Sequence, residues 1–270
     1  MTRLGPGVRE QDEGPVDGSV GQTVDKLARV IPVQPDIPQI VVPDIPEQLY
    51  DTVDKRLAAD NTGVWIVFGL PGETTIGWYK DWKKHSNIEY VLTRDERTAS
   101  FAAEAYAKIT GRPAVLEAPS PGVTHCTPGI TEAFLSSVPV IYFSSDIPIN
   151  QDKRHGLTGV DQTALYASIS KESFVLTNAK EIPFILRRAF RVATSGRPAP
   201  VHIRVPINIY HEEVDIEDLY AEPEYSEYPA HRPVADHSKI RAAIALLLKA
   251  EKPVIVCGQG ALISKASKVV

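Results

Sequence analysis

The sequence is poor in the features that usually assign a protein quickly. It has two cysteines in 270 residues, Cys126 and Cys257. They are far apart and lack CxxC or paired Cys/His spacing, so neither a disulfide framework nor a zinc site is suggested, and both read as buried thiols. No stretch approaches the roughly 18 apolar residues of a membrane helix. The opening Met1-Thr2-Arg3-Leu4-Gly5-Pro6-Gly7 has no apolar signal core. A soluble cytoplasmic protein, with no membrane partner, is expected.

Positive charge is not in excess either. Lys and Arg total 29 against 34 Asp and Glu, for a formal charge of -5 and a pI near 5.8. That excludes the basic footprint of a nucleic-acid-binding domain. There is no Gly-x-Gly-x-x-Gly after a strand and no P-loop, which disfavours nicotinamide and nucleoside triphosphate. His211, His231 and His237 have neither i,i+4 spacing nor a partner cysteine, so they read as surface residues rather than metal ligands. Lys83-Lys84-His85 reads as a solvated helix end.

What is present is an ordinary globular composition, 43% hydrophobic and 23% charged, over a length that suits one large domain and part of a second. Residues 1–22 are rich in Gly, Asp and Glu and read as a disordered tail. A short helix is predicted near 23–30. Pro32, Pro35, Pro38, Pro43 and Pro46 then interrupt Val/Ile pairs too often for a helix or a central strand. The tail and a proline-rich extended arm therefore occupy 1–45.

A regular pattern starts at Pro46, with a helix over 47–57 and candidate strands at 64–68, 88–92, 114–117, 138–143, 173–176 and 201–205. Short apolar strands alternating with helical segments predict an α/β domain over 46–206, a parallel sheet with helices on both faces. Residues 207–236 turn acidic and rich in Tyr and Pro, as an interdomain linker does. A helix at 238–250, a strand at 253–257 and a Gly-rich loop at 258–261 read as the start of an incomplete second α/β unit, 237–270.

Three loops follow strands at their carboxyl ends, where open parallel sheets bind ligands. The first is Phe68-Gly69-Leu70-Pro71-Gly72. The second, Thr93-Arg94-Asp95-Glu96-Arg97-Thr98, enters a helix of small residues. The third is Ser120-Pro121-Gly122-Val123-Thr124-His125. Read singly, each has a plain structural explanation: Glu96 favoured by the helix macrodipole, the glycine loops as strand-to-helix turns, and His125 as a solvated side chain.

Taken in order, these loops, with Ala105-Tyr106-Ala107-Lys108-Ile109-Thr110-Gly111-Arg112-Pro113-Ala114 and Gly196-Arg197-Pro198-Ala199-Pro200-Val201, resemble the amino-terminal pyrimidine-binding domain of thiamine-diphosphate enzymes of the acetolactate synthase group. The resemblance spans roughly residues 64–205. It implies that Glu96 hydrogen-bonds the aminopyrimidine ring and relays the proton that activates the cofactor. It further implies that Leu70, Pro71, Gly72, Pro121, Gly122 and His125 line the cofactor. The chain has no Gly-Asp-Gly, the family's diphosphate and magnesium motif. The resemblance therefore implies a complementary chain carrying that half of the site, homodimeric pairing within a heteromer, and a 2-keto acid substrate for decarboxylation and/or carboligation.

The sequence also departs from the family. Ser120 replaces a glycine, His125 replaces an asparagine, and both neighbours of Glu96 differ from the family's Arg-His-Glu-Gln. Leu157-Thr158-Gly159-Val160-Asp161 lacks the glutamine that helps handle substrate in acetolactate synthases. These changes argue against acetolactate synthesis itself. They leave two alternatives open: a non-catalytic structural subunit of the same fold, and a fragment of a longer enzyme.

Overall fold

The computed structural model describes residues 65–75, 78, 88–152, 156, 158–212, 220 and 222–266. The chain divides into Met1–Val41 and Val42–Val270, and every described residue lies in the second. The expected tail, arm and first helices fall outside the described residues.

Six strands form one all-parallel sheet: β1 (Trp65–Gly69), β2 (Ile88–Leu92), β3 (Ala114–Ala118), β4 (Val140–Asp146), β5 (Glu172–Val175) and β6 (Val201–Pro206), in the spatial order β2-β1-β3-β4-β6-β5. All six lie where alternating apolar runs predict them: β2 matches at both ends, and no end of the others moves by more than three residues. β3, β4 and β6 are buried along their whole length. They read as continuous apolar runs because a parallel strand covered on both faces has no solvent side.

The topology sorts the helices. Steps from β2 to β3, β3 to β4 and β4 to β5 run one way across the sheet, whereas β1 to β2 and β5 to β6 run the other way. Right-handed crossovers then place the two sets on opposite faces. On one face, α1 (Glu96–Thr110), α2 (Thr127–Leu135) and α3 (Gln162–Tyr166) cover Phe68, Leu116 and Tyr142. On the other, α4 (Ile182–Thr194) and Trp78 cover Val67, Val115, Ile141 and Ile203. Each fully buried aliphatic side chain contributes roughly 1.5–3 kcal/mol relative to exposure.

The helix that carries Glu96 is built to lie close to its neighbours. Its buried stripe is the small residues Ala99, Ser100, Ala103 and Ala107 at helical spacing, joined by Glu104. Gly129 on α2 faces Ser100 so closely that an added Cβ would stand 2.6 Å from the serine Cβ. Gly111 ends the helix at φ 73, a left-handed position that glycine adopts without steric cost.

Beyond β6 the structure differs in part from the sequence reading. The helix forms as α5 (His237–Lys249), capped by Asp236. Residues 253–257, expected as a strand, are irregular and exposed, because a strand needs a neighbour to pair with and none of the described residues supplies one. The Gly-rich stretch continues as the short α6 (Gln259–Ile263). Cys257 is exposed rather than buried for the same reason, while Cys126 is buried. Within 207–236, Tyr228 packs onto the domain: its hydroxyl donates to Ala107 O at 2.9 Å and its N–H to Gly111 O at 3.0 Å.

Candidate active site

The chain leaves β1 for β2 on one side, while β3 lies on the other. Their loops therefore diverge and open a crevice at the strand ends, the switch point where such sheets bind ligands. All three candidate loops meet there.

Glu96 is the first residue of α1, with its N-cap Asp95 in extended geometry at φ -160, ψ 136. Asp95 accepts from Arg97 N at 2.8 Å, and its two oxygens take the Arg97 guanidinium at 3.0 and 2.8 Å. Hydrogen bonding from Arg97 holds the Asp95 carboxyl well below the usual carboxylate range. The cap is thus Asp95, which leaves the Glu96 side chain free of that duty. Glu96 is 9% exposed, and its Oε2 lies 3.0 Å from His125 Nδ1. Its carbonyl accepts from the Cys126 thiol at 3.6 Å.

The approach to β1 is locked. Gly69 O accepts from Thr93 N at 2.9 Å and from Thr93 Oγ1 at 3.0 Å, and that hydroxyl also reaches Asp95 O at 3.1 Å. One threonine therefore ties the end of β1 to the start of α1. Leu70, Pro71 and Gly72 follow as a half-exposed turn closed by Thr75, whose Oγ1 accepts from Gly72 N at 3.0 Å. Gly72 is pressed on Pro119, where a Cβ would come within 2.6 Å of the proline ring.

The third loop begins with a cis Ser120-Pro121 bond and winds into a 3-10 turn over Gly122–Cys126. Ser120 Oγ donates to Thr158 O, which binds this loop to the turn after β4. At Gly122 a Cβ would fall on Glu96 Oε1 and within 2.9 Å of its Cδ. The bare glycine is what makes room for the carboxyl group. Gly122 and His125 are thereby brought against Glu96, with Pro121 next to them in the same loop.

Asp95, Glu96 and His125 bring ligand-type atoms within 4.8 Å of one another. Because both Asp95 oxygens are engaged by Arg97, the trio is a hydrogen-bonded rim rather than a free ligand set. His231 stands at the surface, 3.4 Å from Tyr225 Oη, and His237 opens α5 in solvent. His155 and Leu157 lie outside the described residues.

Sequence reasoning missed two groups. Glu117, paired in register with Gly69, is 1% exposed and receives the Tyr90 hydroxyl at Oε2. Burial pushes its carboxyl up to about 7, partly offset by hydrogen bonds from Thr75 and Tyr90 and reinforced by the charge of Glu96. An acid inside Ala114-Val115-Leu116-Glu117-Ala118 was the available signal, since acids are almost never fully buried without a partner. A second missed group is Arg204, 4% exposed. It donates to Asp146 at 2.5 Å and forks onto Asp152 at 3.1 and 3.2 Å.

This fold and site define a doubly wound α/β domain with a shielded acid and bare glycine backbone at its switch point, an architecture suited to a planar organic cofactor. Residues 53–165 match the family model described as thiamine pyrophosphate enzyme, N-terminal TPP binding domain. The chain thus carries the N-terminal cofactor-binding domain of that enzyme family, in a form homologous to acetolactate synthase large subunits. It is 35% identical to a probable acetolactate synthase large subunit of Methanocaldococcus jannaschii over 221 residues, 81% of this chain and 37% of that protein. It is 31% identical to the isozyme 1 large subunit of Escherichia coli over 204 residues, 75% of this chain and 36% of that protein. To the chloroplastic acetolactate synthase of Arabidopsis thaliana it is 28% identical over 268 residues, 95% of this chain and 39% of that protein. The chain spans little more than a third of the length of these relatives. Among the described residues no helix is long and apolar enough to cross a membrane.

Proposed function

We propose that this chain supplies the pyrimidine side of a thiamine diphosphate site, with diphosphate and magnesium held by a complementary chain, in an enzyme that acts on a 2-keto acid by decarboxylation and/or carboligation. The observation that carries this reading is the pairing of Glu96 with Gly122: a carboxyl shielded from water, at the switch point, beside backbone with no side chain in the way.

Bound thiamine diphosphate would supply an electron sink for the carbanion left by decarboxylation. The chain's own residues do the rest. Glu96 accepts and returns a proton at its carboxyl oxygen, and its burial keeps water from competing for that proton. His125 fixes the carboxyl from the Oε2 side. Leu70, Pro71 and Gly72 form one wall, and Pro121 and Gly122 the other. The free Cys126 and Cys257 thiols fit the reducing cytoplasm. Homodimeric pairing within the assembly has a candidate surface in the exposed stripe of α1, where Phe101 and Ile109 stand 46% and 83% exposed two helical turns apart. An apolar strip of this kind calls for a partner.

That strip equally favours a second reading, a non-catalytic subunit that keeps the fold to build a complex. Glu96→Gln separates the two. The amide cannot relay the proton, so turnover in the reconstituted complex should fall by at least about 100-fold with assembly and thermal unfolding unchanged. Full activity in that variant would sink the catalytic reading.

A further inference from the structure

A left-handed backbone is routine just past the end of a helix, and Ser137 and Lys265 adopt it one residue beyond the C-caps of α2 and α6. Thr158 has no such reason. It is β-branched, stands before α3 rather than after a helix, and holds φ 67. A conformation of this kind costs free energy and persists only where the surroundings over-determine it.

The surroundings here do so. Ser120, 6% exposed, donates its hydroxyl to the Thr158 carbonyl. Gly159 N donates to Gly156 O at 3.1 Å, and a Cβ on Gly159 would stand 2.8 Å from Ile147 Cδ1. Gln162, fully buried, donates from its amide nitrogen to Ser145 O at 2.9 Å and accepts from Ser144 Oγ at 2.5 Å. The turn is thus anchored to β4 and reaches the third loop through one hydroxyl.

Ser120 is followed by Pro121, Gly122 and, within the same 3-10 turn, His125. Gly122 makes room for the Glu96 carboxyl and His125 bonds to it. In the sheet order β1-β3-β4 the Thr158 turn, which follows β4, approaches this loop from the side away from the switch point. We propose that Ser120 is a positioning residue: its bond to the strained Thr158 turn braces the Gly122 and His125 loop against Glu96 from the β4 side. Its purpose rests on the thiamine diphosphate reading, although the brace itself does not. Ser120 stands where the family has glycine, which could not make this bond, so the brace belongs to this chain.

Ser120→Ala removes the hydroxyl with little change of volume. Amide hydrogen exchange of the full chain, followed by NMR, should quicken roughly two- to tenfold at both Gly159 and Thr124, the change expected for one hydrogen bond. These amides close the two turns that the bond joins, Gly159 onto Gly156 O and Thr124 onto Pro121 O. Thr158→Asn, a residue that tolerates the left-handed backbone, should raise the unfolding midpoint of the wild type. It should raise that of Ser120→Ala less, because there the turn is free to relax. In the assembled protein, calorimetry should show thiamine diphosphate with magnesium binding roughly two- to tenfold more weakly to Ser120→Ala and unchanged to Thr158→Asn, whose carbonyl still receives the hydroxyl. Faster exchange at Gly159 with none at Thr124, an equal gain from Thr158→Asn in both backgrounds, or unaltered affinity in Ser120→Ala overturns the brace. A wild type that binds no thiamine diphosphate, with the exchange and stability results intact, overturns the cofactor reading alone.

Discussion

Gly122 and Glu96 are fitted to each other: a Cβ on the glycine would occupy the place of the glutamate Oε1. The two residues come from different loops, 26 positions apart by their numbering, and the carboxyl can keep its orientation only while position 122 has no side chain.

Gly122→Ala is therefore predicted to rotate Glu96 out of place. Overpacking of this kind costs about 1–3 kcal/mol, readable as a lower unfolding midpoint in denaturant. Thiamine diphosphate affinity, measured by calorimetry on the assembled protein, should fall by more than the stability loss explains. Unchanged affinity would show that the carboxyl does not contact the cofactor.

His125→Ala should behave differently. The ring is 57% exposed, so little packing is lost and the unfolding temperature should barely move. Loss of its hydrogen bond to Glu96 is worth about 0.5–1.5 kcal/mol, and cofactor affinity should drop roughly three- to tenfold. His125→Asn, which keeps a donor, should recover most of it. No recovery would argue that the imidazole itself matters.

Glu117 makes stability fall with rising pH. Its folded carboxyl titrates at about 7, against 4.5 for the ordinary group, so its contribution is complete below about 4.5 and is lost progressively up to about 7. The loss is of order 3 kcal/mol. Denaturant unfolding of wild type and Glu117→Gln at both ends of that window should show a steeper pH dependence in the wild type. Parallel curves would place Glu117 in contact with solvent.

His202 acts at the acid side. It is buried between Ser144 Oγ and Ser173 Oγ, each at 2.7 Å, and burial, helped by the charge of Arg204, pushes it down to about 3. The neutral ring's contribution is complete above the ordinary value of 6.5 and is lost as pH falls toward about 3. Proton NMR should find this imidazole still neutral at about pH 5, where an exposed histidine is charged. A midpoint near 6.5 would contradict the burial.

Arg204→Ala is predicted to be among the most damaging single changes. It leaves Asp146, fully buried, without its guanidinium, a loss of about 3–5 kcal/mol. Arg204→Met combined with Asp146→Leu should restore much of that stability, since both charges leave together. Equal destabilisation by the pair would show that shape, and not charge, decides this corner.

The sequence by itself determined the sheet. Apolar runs such as Val140-Ile141-Tyr142-Phe143, separated by amphipathic stretches, leave few choices once burial on both faces is required, and the glycine loops and Glu96 could be read from their place at strand ends. The strand at 253–257 failed because periodicity reports what a segment can bury, not whether a neighbour is there to pair with it. Only the tertiary structure decided the rest. The order β2-β1-β3 put Glu117 against Gly69 and Tyr90, residues remote in sequence. The same folding brought His125 to Glu96 and Arg204 to two aspartates. Such contacts depend on strand order and register, which local propensity does not encode, and the charge a buried carboxyl carries depends on the neighbours that only the folded chain supplies.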